Sequence, residues 1–134
     1  MDQDEKNAMK DLDGMLLDYQ YPGETGPHYV VSVQGDKLDF ASPWPDGPVA
    51  ARRAYAPLAG EGDRRVDYRA RKMQEGLYLV HWIVKGEIHV ALLFDFVKHK
   101  TTCAALMPGR TELWDEADWD RWYLPSEALK KHQG

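Results

Sequence analysis

The chain has 134 residues, of which 43% are hydrophobic and 29% charged, and a net charge of −5. That is the size of one folded domain, too apolar for a disordered chain and too short for two ordinary domains. No run of Lys or Arg exceeds two residues, which argues against a nucleic-acid face or a membrane-binding stripe but leaves room for a small anion.

The first ten residues are polar and acidic and lack the apolar core of a signal segment. Residues 7–17 carry Ala8, Met9, Leu12, Met15 and Leu16 at helical spacing, broken by Gly14, which predicts a short helix closing one end of the domain and running into a strand. Residues 16–21 read as that strand, ended by Pro22 and Gly23. Residues 28–34 are the next, and Gly35-Asp36 turns the chain into residues 37–41. Three prolines and a glycine make residues 42–48 a loop, residues 49–55 suit a strand, and residues 59–63 are glycine-rich. Residues 65–73 alternate polar and apolar. Strands follow at 77–84, 88–96 and 101–107, separated by turns at 85–87 and 98–100. Residues 111–114 suit a last strand, 115–122 a helical turn, and 126–131 a frayed helical tail.

About eight short strands with tight connections predict an all-β, antiparallel sandwich or barrel in one domain. A barrel of about eight strands holds one small ligand. Cys103 is the only cysteine, which excludes a disulfide within the chain, and no apolar run is long enough to span a bilayer. A reducing cytoplasm is the expected location, with Cys103 as a core thiol.

Several side chains are candidates for chemistry. Tyr19 and Tyr21, two apart on a strand, share a face, and two phenol hydroxyls side by side suit a carboxylate; packing aromatics are the plainer reading. Of Arg52 and Arg53, alternation turns one inward, where an arginine is costly unless it meets an anion; both at the rim is the alternative. Among His28, His81, His89 and His99, His81 and His89 lie on consecutive strands, placed for a metal or acid/base pair. No third ligand has an obvious place beside them, so half-exposed strand histidines and no metal are expected. Asp95 interrupts an apolar strand and Asp67 precedes Tyr68; a barrel end or outer face suits either. Trp114, Trp119 and Trp122 read as a lid or plug. Gly60 and Gly62 lack the Gly-Lys-Ser/Thr of a phosphate loop.

In order and spacing, these segments resemble bacterial phenolic acid decarboxylases. Met9-Lys10-Asp11-Leu12-Asp13-Gly14 followed by Tyr19-Gln20-Tyr21-Pro22-Gly23 is similar to their glycine-ended helix leading into a Tyr-x-Tyr strand. His28-Tyr29-Val30-Val31-Ser32-Val33 resembles their next strand, and Leu38-Asp39-Phe40 their Ile-Asp-Tyr. Val49-Ala50-Ala51-Arg52 is similar to their Val-Ala-Gly-Arg. Glu75-Gly76-Leu77-Tyr78-Leu79-Val80-His81-Trp82 resembles their Glu-Gly-Val-Tyr-x-Val-Ser-Trp, with His89 to Phe94 as the strand that follows. The resemblance covers roughly residues 9–107, with an insertion at residues 56–65. The lipocalin-like fold of the molybdenum-cofactor-associated MoaF group is similar over the second half.

The resemblance implies a calycin-type (lipocalin-like) barrel that acts on a para-hydroxycinnamic acid without a cofactor, as a homodimer. Tyr19 and Tyr21 would clamp the carboxylate and Arg52 would be the family arginine, with a quinone-methide intermediate losing carbon dioxide. Tyr29, Phe40, Trp82, Val84 and Phe94 are expected to face inward around the substrate, and His81, His89 and Asp95 are the remaining acid/base candidates. The family glutamate falls two residues after the tryptophan, where this chain has Val84. Decarboxylation of a conjugated carboxylic acid is therefore the leading expectation, beside a related lyase, isomerase or cyclase of secondary metabolism, or a lipocalin-like carrier without catalysis. The apolar outer face of residues 77–83 is consistent with the homodimer.

Overall fold

The computed structural model describes residues 2–23, 28–40 and 65–134. The expected strand at residues 49–55 and the arginine pair lie outside them. Within them the chain forms α1 (Gln3–Leu12), β1 (Leu16–Gln20), β2 (His28–Gln34), β3 (Lys37–Asp39), β4 (Arg65–Asp67), β5 (Arg69–Gln74), β6 (Leu77–Val84), β7 (Ile88–Asp95), β8 (Lys100–Met107), β9 (Arg110–Tyr123) and α2 (Glu127–Lys130).

Every strand pair is antiparallel, in the order β4-β3-β2-β1-β9-β8-β7-β6-β5. The two edge strands are consecutive in the chain, with only Tyr68 between them. One segment thus pairs with β3 through its first half and with β6 through its second. The result is a nearly closed all-β barrel of the calycin type, which leaves little free sheet edge. Tyr68 is buried at the crossing, and its hydroxyl donates to the Gly35 carbonyl at 3.2 Å.

Helix α1 starts earlier than apolar spacing alone indicates, because Asp2 caps it: the carboxylate accepts from the Glu5 N–H at 2.8 Å. Its buried face is Glu5, Ala8, Met9 and Leu12. Arg69 on β5 donates two hydrogen bonds of 3.0 Å to Glu5, and the Tyr78 hydroxyl donates to Asp11 at 2.6 Å. The helix thereby plugs one barrel end. The helix ends before Gly14, whose φ is +86°, and Leu16 opens β1, as the break in the helical spacing predicts.

A Cβ on Gly14 would lie 2.7 Å from Pro125 Cγ. Gly14→Ala is therefore expected to cost about 1–2 kcal/mol for the left-handed backbone, plus the displacement of Pro125. A drop in the urea midpoint at unchanged slope would show it; an unchanged midpoint would contradict it.

Two expectations are corrected at the C-terminus. Residues 115–122 are not a helical turn; they belong to the 14-residue strand β9. Thr101 pairs with Ala117 but Cys103 pairs with Trp114, so β9 carries one extra residue there. Asp18 pairs with Arg121 but Tyr19 with Trp119, which marks a second bulge. Each bulge resets the alternation, so inward residues recur three apart and imitate a helix. Nor is the tail frayed: Ser126 caps α2, Leu129 is fully buried, and Trp122 Nε1 donates to the Gln133 carbonyl at 2.6 Å. No helix among the described residues is long and apolar enough to cross a membrane.

Candidate functional site

β1 and β2 leave the helical end of the barrel and return to it, as do β6–β7 and β8–β9. The turns after β6 and β8 therefore lie at the opposite end, and a cavity of about 250 Å³ opens there. Its residues form two walls.

The first wall comes from β1, β2, β8 and β9. Tyr19 and Tyr21 point inward with ring centroids 5.5 Å apart, edge to face. Tyr29, directly opposite Tyr19 in the β1–β2 register, adds its ring at 6.3 and 6.4 Å from theirs. Trp114 packs 5.1 Å from Tyr21 and stacks on Tyr29, and its cross-strand partner Cys103 lies at the cavity floor. Across the barrel, Phe40 stacks on Trp82 at 5.8 Å and 20°, with Val84, Ile88 and Val90 beside them. Leu92, Ala105 and Met107 complete the lining.

Burial dominates the electrostatics. It raises the Tyr19 and Tyr21 hydroxyls far above the usual phenol range, and Tyr29 in the same direction. All three are neutral O–H donors at any working pH: they can hold an anion, but they are too basic as phenolates to shuttle protons readily. Tyr19 and Tyr21 lie close enough to interact, and Tyr21 also meets Cys103. Among the described residues, Trp82 Nε1 is buried with no hydrogen-bond partner, and a buried donor left unpaired is costly.

Burial also pushes the Cys103 thiol up to about 11 from 9.0. At pH 8 that leaves roughly a hundredfold less thiolate than in an unfolded chain. Cys103 is expected to react with an aromatic disulfide reagent at least about a hundredfold more slowly in native than in denatured protein. Equal rates would place the thiol outside a closed cavity.

Of the residues singled out from sequence, Tyr19, Tyr21, Tyr29, Phe40, Trp82 and Val84 line the cavity together. Phe94 does not: it is fully buried beside Phe96, below the floor. Arg52 lies outside the described residues. His81 and His89 face outward, as strict alternation requires when Trp82 and Val90 face in. Asp95 closes a turn, its Oδ1 accepting from the Val97 and Lys98 N–H groups at 3.0 and 2.9 Å. Asp67 is exposed and paired with Lys37. His28 meets Asp18 on the outer surface, and His99 stacks on Trp119 with its Nε2 at 2.6 Å from the His132 carbonyl.

Trp114, taken as part of a lid or plug, is a wall of the cavity; only Trp119 and Trp122 pack at the helical end. Cys103, taken as a plain core thiol, reaches the lining. Glu112, which sequence reasoning does not single out, lies beside this wall. It stands two residues before Trp114 on β9 and pairs with the lining residue Ala105. It is near enough to Tyr29 and Cys103 to raise both, and Arg110 lies 3.3 Å from it. The signal was available: Glu112 and Trp114 share a face once residues 111–114 are a strand.

No family model matches the chain, and no curated protein matches it.

Proposed function

We propose that the barrel takes one small, flat, conjugated carboxylic acid of the hydroxycinnamate type and acts on it as a cofactor-independent lyase, with decarboxylation the leading reaction. The observation that carries this reading is the set of three neutral tyrosine donors, Tyr19 and Tyr21 buried and Tyr29 partly so, on one wall of an otherwise apolar cavity. The carboxylate meets the Tyr19 and Tyr21 hydroxyls, and the ring lies between the Phe40–Trp82 stack and Trp114. A cavity of about 250 Å³ suits a ligand smaller than a typical drug.

Neutral donors solvate a carboxylate less well than water does. A site of this kind favours spreading that charge, which is what loss of carbon dioxide does. The bond from the carboxyl carbon to the vinyl carbon breaks, its electron pair stays on the vinyl carbon, and one proton is taken up there. The tyrosines bind and orient; the proton must come through another group. Arg52, by the resemblance, holds the phenolic oxygen, and its permanent charge suits it to binding an anion rather than to carrying protons. Glu112 is the carboxylate beside the cavity that can relay one.

A second reading, a carrier without catalysis, is favoured by a specific observation: among the described lining residues there is no carboxylate, histidine or lysine. Incubation with 4-hydroxycinnamic, caffeic and ferulic acids, followed by the loss of the conjugated-acid absorbance, separates the two. Turnover that falls at least about tenfold in Arg52→Ala, and also falls in Glu112→Gln with affinity kept, is the expected result. Saturable binding with no turnover would make the protein a carrier. Near wild-type turnover in Arg52→Ala would remove the arginine from the reaction.

A further inference from the structure

The outer face of β6 and β7 holds a second arrangement, unconnected with the cavity. In the register of this hairpin Ile83 is opposite His89 and His81 is opposite Ala91. The two histidines are thus diagonal neighbours on one face, and Nδ1 of His81 lies 3.1 Å from Nε2 of His89. We propose that this pair is a bidentate site for a borderline divalent transition metal of the zinc, nickel and copper class.

Metal–imidazole bonds are about 2.0–2.1 Å long. Two nitrogens bound to one metal are then about 3.4 Å apart in tetrahedral geometry and about 2.9 Å apart at adjacent square-planar corners. The observed separation falls between these values, so a metal can bridge the rings through small side-chain rotations on a fixed hairpin. The strands set the spacing before any ion arrives, which lowers the ordering cost of binding.

Arg69 stands opposite His81 on β5, and both its donated bonds go to Glu5, which offsets part of its charge at the pair. The chain as a whole carries −5. His89 is exposed and His81 half-buried, so the remaining coordination positions are open to water or to a ligand from outside. A pair of imidazole nitrogens without oxygen donors selects against magnesium and calcium.

A competing group on the barrel surface, Asp18, His28 and Asp120, has ligand atoms within 4.8 Å of one another. There Asp18 already accepts two bonds from Arg121, at 2.9 and 2.6 Å, and meets His28 as well. A cation would have to displace a guanidinium, so this group is the poorer site.

Calorimetric titration of the untagged protein with Ni²⁺ and Zn²⁺, with Mg²⁺ for comparison, tests the proposal. Wild type is expected to saturate with Ni²⁺ or Zn²⁺ and not with Mg²⁺. His81→Gln and His89→Gln should each weaken binding at least about tenfold, while His28→Gln stays within about twofold. Bound Cu²⁺ should show two nitrogen ligands by electron paramagnetic resonance, and neither variant should reproduce that signature. No saturable binding by wild type, unchanged binding in the His81 and His89 variants, or loss of binding in His28→Gln would overturn it. The outward position of both side chains makes folded variants the expectation, and circular dichroism checks it.

Discussion

Phe96→Ala is expected to lower stability by about 3–5 kcal/mol, the cost of deleting a fully buried phenylalanine that its surroundings cannot refill. Phe96 is 0% exposed. Its ring meets Tyr78 at 5.5 Å, Trp119 at 5.3 Å and Phe94 at 6.3 Å, so three strands and the turn after β7 converge on it. Its N–H donates to the Gly76 carbonyl at 2.7 Å, which fixes the backbone and limits collapse into the void. A domain of this size has a total stability of about 5–15 kcal/mol, so the loss is a large share of the whole. Guanidinium denaturation monitored by tryptophan fluorescence measures it. A loss under about 1 kcal/mol would mean that this cluster is not the centre of the core.

The second large effect is on the ligand. Tyr19→Phe and Tyr21→Phe keep both rings and their packing and remove one donor each. A hydrogen bond to a charged group contributes about 1.5–3 kcal/mol, so each change should weaken binding or turnover of a conjugated acid at least about tenfold. Stability should change much less than in Phe96→Ala, since the edge-to-face contact of the two rings is retained. Unchanged affinity in both variants would show that the carboxylate does not sit on this wall.

Where alternation is clean and glycine turns bound it, the fold was legible. β2 and β6 run from His28 to Gln34 and from Leu77 to Val84, as expected from sequence. Their alternation also put Trp82 and His81 on opposite faces. β9 was not legible because two bulges break its period of two, and a strand that passes both Trp114 and Trp119 inward then shows helical spacing. The start of α1 depends on the Asp2 cap, which hydrophobic spacing does not report.

The candidate site divides in the same way. Strand periodicity put Tyr19 and Tyr21 on one face; that this face turns inward, with Tyr29 and Trp82, was what the resemblance implied. Cys103 and Trp114 reach the cavity only because of where β8 and β9 pass, which is a property of the closed barrel rather than of either strand. Glu112 shares a face with Trp114 on the strand expected at residues 111–114, but with the bulged remainder of β9 read as a helical turn, nothing marked that face as the inward one. The contact between His81 and His89 depended on the register of one hairpin, which a shift of a single residue would have undone.

The most direct test of the ligand reading is equilibrium binding of trans-cinnamate, a conjugated acid lacking the phenol that the proposed reaction needs. Calorimetry compares wild type with the Tyr19→Phe/Tyr21→Phe double variant. The expected result is saturable binding of one molecule per wild-type chain, at least about tenfold weaker in the double variant, the two losses being coupled because the donors are neighbours on one carboxylate. Equal affinities, or no saturable binding to wild type at millimolar ligand, would contradict a carboxylate site built on these two tyrosines.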